Sequence, residues 1–241
     1  IKMNILSIDE KLERNNIFWE GLPQKRPLLS FHIGDHFFSK GFIANNNLLP
    51  KGTVVDPDKI IVENYIHDYK NMIDYANQVD QDAFYVLEPC TGFPWLEAIF
   101  GATVKGSETS FITDHIYDSI EDLKEIDFSI NNKWYKKYLE FIDILFSEFG
   151  DTNPIGQPII RGCTDTVGAL IGQSEFAISI LLEPEILKNT FNMIVKAHKS
   201  LINDQYSIIN DFYGGYGLGF YNIWCPGKVI WYQEDLAALM A

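Results

Sequence analysis

The chain of 241 residues is 46% hydrophobic and 14% aromatic, which suits a sizeable core and lies far from the disordered class. Its 33 acidic side chains against 19 Lys and Arg give a formal net charge of −14, which argues against a nucleic-acid phosphate backbone as partner. Cys90, Cys163 and Cys225 match neither a disulfide framework nor a C-x-x-C site, no apolar stretch approaches the roughly 18 residues of a membrane span, and no signal-peptide core opens the chain. A cytoplasmic protein without membrane or nucleic-acid partners is the expectation.

A short leading helix is predicted from Ile8 to Trp19, followed by a first strand, Arg26–Ile33, closed by Gly34-Asp35. After an Asn- and Pro-rich stretch, Val62, Ile66, Tyr69, Ile73 and Ala76 recur at helical spacing and lead to a second strand, Ala83–Leu87. Pro94 to Gly101 reads as a helix and Ala102 to Phe111 as an extended excursion; Ser119 and Asp122 form a capping-box pattern. Trp134, Tyr138, Phe141, Leu145 and Phe149 share a helical face, with Gly150 at the cap position. A third strand is expected at Pro158–Ile160. Thr164 to Leu182 follows as a helix interrupted at Gly172, with Ser174 capping the second piece, and Pro184 opens a long helix. Gly214-Gly215 then reset the chain for a fourth strand, Gly217–Ile223.

Strands alternating with long helices give a parallel α/β arrangement. Four such units are present where a closed barrel needs eight, in about 250 residues for compact examples, so the sheet is either open or half of a barrel. The start at Ile1 and the uncapped helical pattern Asp235–Ala241 lead to the expectation of a longer gene product.

In parallel α/β folds the carboxyl ends of the strands carry the chemistry. His32, Asp35, Glu88, Cys90, Arg161, Asp165, Tyr221 and Cys225 all fall at or just past such ends. Glu88 follows an apolar run and precedes Pro89, so it is the first choice for general acid, base or substrate anchor, with a structural ion pair to Arg161 as the alternative. Cys90, Cys163, Cys225 and His32 make a conceivable zinc set, although ordinary buried thiols are the simpler reading. Trp95 after the second strand, and Tyr221 and Trp224 at the fourth with Trp231-Tyr232 beyond, could stack a flat ligand or simply pack the core. His198 lies on the apolar stripe of its helix, where a core role is expected.

Trp19-Glu-Gly, Arg26-Pro-Leu-Leu, Asp82-Ala-Phe-Tyr-Val, Phe100-Gly101, Arg161-Gly-Cys-Thr-Asp-Thr-Val-Gly-Ala-Leu-Ile-Gly172, Leu182-Glu-Pro-Glu-Ile-Leu187 and Gln233-Glu-Asp-Leu-Ala-Ala-Leu-Met240 occur in an order that resembles the uroporphyrinogen decarboxylase superfamily. The resemblance implies a (β/α)8 TIM-type barrel, with residues 1–241 forming a single domain that supplies its first four or so βα units. From their places at the strand ends, catalytic roles are expected for Glu88, His32 and Asp35, and substrate contacts for Arg161, Asp165, Trp95, Tyr221 and Trp224.

That superfamily contains cofactor-free tetrapyrrole decarboxylases and zinc-dependent methyltransferases that work with corrinoid proteins or thiols. The decarboxylases hold substrate carboxylates with an arginine-rich segment after the first strand, whereas His32-Ile-Gly-Asp35-His36-Phe-Phe has no arginine, and Glu88 or Pro89 stands where they carry aspartate. The favoured expectation is therefore methyl transfer from a corrinoid-linked or related donor, any zinc being held by residues outside this chain. Tetrapyrrole decarboxylation is the alternative, and a non-catalytic small-ligand binding protein a third. The partner is expected to be a small molecule or corrinoid protein, with a homodimer in view.

Overall fold

The structure is a computed structural model that describes residues 5–32, 39–126 and 132–240. Among these residues it is a mixed α/β assembly of seven α-helices and two small sheets, and no closed barrel forms. No single helix among them is long and apolar enough to cross a membrane.

Helix α1 (Ile8–Trp19) spans the expected residues, because the Ser7 hydroxyl accepts the Glu10 amide while the Glu10 carboxylate reaches back to the Ser7 amide. A 3-10 turn, Val62–Tyr65, runs into α2 (Ile66–Ala76), and α3 (Trp95–Ile99) sits within the expected Pro94–Gly101 segment. The extended excursion is an antiparallel ribbon of β1 (Val104–Gly106) and β2 (Phe111–Thr113). Next come α4 (Lys133–Phe149), β3 (Gly156–Gln157), α5 (Cys163–Ile171), α6 (Gln173–Leu182) and α7 (Pro184–Ile208). The last strands are β4 (Tyr216–Leu218) and β5 (Ile223–Cys225). Helices α5 and α6 meet at 114° where Gly172 takes φ +86°, a conformation that costs glycine little. Ser174 lies inside α6 and caps nothing; Gly172 itself is the N-cap.

The strands depart most from expectation. Arg26–His32 is extended but is not a ladder strand: the Leu29 amide donates to the Asp82 carboxylate, 2.8 Å, and the Phe31 amide to Gln81 Oε1, 2.9 Å, so side chains take the donors a neighbouring strand would use. Its last residue, Ile33, and the closing Gly34-Asp35 lie outside the described residues. Ala83–Leu87 contributes one parallel bridge, Leu87 to Ile155. The third strand falls two residues early, at Gly156–Gln157, because Pro158 has no N–H to donate.

The fourth is two strands. β4 runs parallel to β3, and β5 returns antiparallel, Leu218 opposite Ile223 and Tyr216 opposite Cys225. Between them Asn222 adopts φ +53° and donates its amide to Gly219 O at 2.8 Å, a turn disguised in the sequence by Phe220 and Tyr221. A last parallel bridge joins Arg161 to Gln233.

The main core packs α3, α4, α5 and α7 around fully buried Trp95, Tyr138, Phe141 and Leu201. Trp95 contacts Phe93, Trp134, Tyr138 and Phe141 edge-on, an arrangement that favours ring pairs electrostatically. A smaller core of Phe84, Phe212 and Trp224 is closed by Leu12 of α1, and Trp19 Nε1 donates to Trp224 O at 2.8 Å.

Candidate active site

The parallel bridges fix one direction, and Glu88, Arg161 and Gly219 all stand just past carboxyl ends. Glu88 is held there through its backbone. The Leu87 amide donates to Pro154 O and the Gly156 amide to Leu87 O, while the Tyr69 hydroxyl donates to Glu88 O at 2.5 Å. The Thr91 hydroxyl donates to Glu88 Oε1, and Oε2 is sealed from water, with no hydrogen bond of full geometry among the described residues. Burial pushes the Glu88 carboxyl up to about 8, against the opposing pull of the Thr91 hydroxyl and the Phe220 backbone amide. Gly219 makes this approach feasible: a Cβ there would sit 1.8 Å from Glu88 Oε2 and 2.7 Å from Gln157 O.

Two further buried polar atoms without partners adjoin it, Gln157 Oε1 and Trp231 Nε1. The three belong to one neighbourhood, because Gly219 N donates to Gln157 O, 3.2 Å, and Gln157 Nε2 donates to Trp231 O. Native interiors satisfy nearly all buried polar groups, so a carboxyl, an amide oxygen and an indole N–H without partners among the described residues make this neighbourhood the candidate site. Its wall is aromatic: Phe220 stacks on Trp231 at 6.2 Å and 29°, Tyr221 meets Trp231 at 5.2 Å, and His32 lies 5.5 Å from Phe220. Partial burial lowers the His32 pKa.

The expected site residues divide. Glu88, His32 and the half-exposed Tyr221 come together through Gly219 and Phe220, and Asp35 lies outside the described residues. Arg161 does not pair with Glu88. Its Nη1 stands 2.9 Å from Oε1 of Glu97, a carboxylate buried in α3, and it opens onto a polar hollow of about 240 Å³ shared with Gln173 and Gln233. Asp165 is buried and accepts the amides of Asp235 and Leu236, 3.0 and 2.7 Å, as a helix cap. Trp95 is in the main core; Trp224 lies opposite Gly217 in the small core, where its Nε1 donates to Phe212 O at 2.8 Å. Neither reaches the aromatic wall.

The three cysteines and His32 do not assemble. Cys225 stands opposite Tyr216, at the end of the hairpin away from Gly219, and among the described residues no group of three or more His, Cys, Asp or Glu could hold a metal. Burial, with the Glu234 charge beside it, pushes the Cys163 thiol up to about 11. His198 packs edge-on against Tyr232, 5.9 Å, and burial lowers its pKa to about 4. Gln157 and Glu97 escaped the sequence reading. For Glu97 a signal existed, a lone charge in the apolar run Trp95-Leu-Glu-Ala-Ile-Phe100.

No protein-family model matches the sequence, and no curated protein matches it. The fold is similar to that of a methyltransferase from Methanosarcina mazei, with a TM-score of 0.51 over 81% of this chain at 12% sequence identity. The match takes in 55% of that protein's chain, so this chain spans about half of its length.

Proposed function

We propose that the chain is the N-terminal part of a (β/α)8 barrel enzyme of the uroporphyrinogen decarboxylase superfamily, cytoplasmic, that transfers a methyl group from a corrinoid-linked or related donor to a thiol. The observation that carries this reading is Glu88: a sealed carboxyl with one open oxygen, at a strand end, under an aromatic wall. A carboxyl titrating near 8 is well matched to a thiol of ordinary pKa about 8.5. As Glu88 Oε2 takes the S–H proton, the sulfur pair attacks the methyl carbon, and the bond from carbon to the donor breaks with its electrons remaining on the donor. Phe220, Tyr221 and Trp231 would lie against the flat face of that donor. The described residues do not fit a zinc site, and no step is assigned to one.

Decarboxylation of a polycarboxylate tetrapyrrole is the weaker reading, because Arg161, the cation expected to hold a substrate carboxylate, already neutralises Glu97. The test is incubation of the purified chain with methylcobalamin and a small thiol, followed by the cobalamin absorbance and the thioether product, with uroporphyrinogen supplied in parallel. Thioether formation that falls at least tenfold in Glu88→Gln supports the proposal; decarboxylated porphyrins without thioether, or thioether formation indifferent to Glu88, overturn it.

A further inference from the structure

Two surfaces of this chain are complementary to each other. The first is a groove of about 520 Å³ between α7 and the segment Lys228–Tyr232. On the α7 side Ile194, His198, Ile202 and Tyr206 recur every four residues, a continuous ridge about 18 Å long at 1.5 Å per residue. On the other side Ile230 and Tyr232 alternate outward and remain about half exposed, and Val195 is 53% exposed on the rim. Lys199 and Lys228 flank this apolar floor, in a chain whose net charge is −14.

The second surface is α6. Ile178, Leu181 and Leu182 lie at i, i+3 and i+4 on one helix face and are 50%, 81% and 70% exposed. At ten residues α6 is about 15 Å long, a length the groove accommodates. Acidic groups border its apolar stripe, Glu175 one turn before Ile178 and Glu183 and Glu185 just beyond Leu182. An apolar helix edged with carboxylates thus matches an apolar groove edged with lysines. Such matching of both shape and sign distinguishes a specific contact from a merely sticky patch.

We infer that the α7 groove receives α6 of a second copy of this chain. The two patches are different surfaces, so the contact is heterologous: each copy offers one helix and one groove, and association continues beyond two unless a ring closes. The inference does not rest on the proposed methyl transfer, although the groove backs onto the site, His198 lying 3.5 Å from Gln157 and Trp231 standing between Ile230 and Tyr232.

Sedimentation velocity of the full chain over a micromolar dilution series tests it. The wild type is expected to grow past a dimer with concentration. Leu181→Asp spoils only the helix and Ile230→Asp only the groove; each alone should be monomeric, and a mixture should form one-to-one dimers and nothing larger, because a single intact helix and a single intact groove remain between the two. Both positions are exposed, and unchanged circular dichroism establishes folding; Lys199→Glu mixed with Glu183→Lys offers a second readout, with association weakened at least tenfold in each variant and regained in the pair. A monomeric wild type at all concentrations, a dimer insensitive to these substitutions, or mixtures that do not associate would overturn the inference.

Discussion

Asp165 and Glu234 cap each other's helices. The Asp165 carboxylate accepts the Asp235 and Leu236 amides at the start of a 3-10 helix (Asp235–Met240), and the Glu234 carboxylate accepts the Cys163 and Thr164 amides, 2.8 and 3.0 Å, at the start of α5. Gly162 permits this, because a Cβ there would lie 2.2 Å from Glu234 Oε1. Asp165, expected to touch substrate, is thereby committed to holding Gln233 and the rim. Asp165→Ala or Glu234→Ala should each cost about 1–2 kcal/mol, the usual value of a lost cap. The double variant should lose less than the sum, since both caps guard one joint. Urea unfolding measures the energies, and limited proteolysis should cut at 233–240 first in either variant.

Glu88 gives stability and activity opposite signs. Its folded pKa of about 8 exceeds the ordinary 4.5, so the folded chain keeps a proton that the unfolded chain releases. Stability should fall as pH climbs from 4.5 to 8 and level off above, by on the order of 5 kcal/mol in total. Glu88→Gln removes the titration. The variant should gain Tm over the wild type progressively between about pH 5 and about pH 9, while losing methyl transfer. Parallel Tm-against-pH curves for the two proteins would show that the carboxyl is not the buried, proton-holding group described.

What the sequence made legible was local. Trp134–Phe149 and Pro184–Ile208 announce themselves because a capping residue or proline meets a 3.6-residue apolar period, Val62–Ala76 through its period alone, and these and Ile8–Trp19 form nearly where expected. Strands were harder because their partners are remote. Nothing around Leu29 says that Asp82 will occupy its amide, and the turn at Asn222 sits inside an apolar run that alternation reads as one strand. Glu88 was visible, being a carboxylate at the end of Ala83–Leu87. The partners that define its chemistry, Gln157, Gly219 and Trp231, lie 69, 131 and 143 residues later and became neighbours only through the parallel pairing of β3 with β4.

Arg161 and Glu97 are unequal partners: Glu97 is 1% exposed and the Arg161 side chain 44%. Removing the arginine strands a carboxylate in the core, whereas Glu97→Gln leaves an arginine that can turn to water. Arg161→Ala should therefore cost roughly 2–4 kcal/mol, Glu97→Gln less, and the double variant less than Arg161→Ala alone. Chemical denaturation of the three variants measures this. Equal costs for the two single changes would mean that the pair is solvated rather than one-sidedly buried.

Asp82 ties α1 and the extended Arg26–His32 segment to the core. Its buried carboxylate accepts Arg14 Nη1 at 2.7 Å, both nitrogens of the Arg26 fork and the Leu29 amide. Burial alone would raise its pKa, but Arg26, Arg14 and the Leu29 amide together hold it down at about 2, below the ordinary 3.8. A depressed carboxyl stabilises the fold above its unfolded pKa, and that stabilisation, about 2 kcal/mol, is lost as pH drops from 3.8 through 2. Asp82→Asn should forfeit it at neutral pH and unfold with a shallower acid transition. Arg26→Ala should lose part of it, because Arg14 remains. The Trp19 indole, bonded to Trp224 O, lets fluorescence monitor α1 when the signal is read as the difference from a Trp19→Phe control, four other tryptophans lying outside α1. In Asp82→Asn its change should precede the global transition seen by circular dichroism, and coincident transitions in that variant would show that Asp82 does not hold this end of the molecule in place.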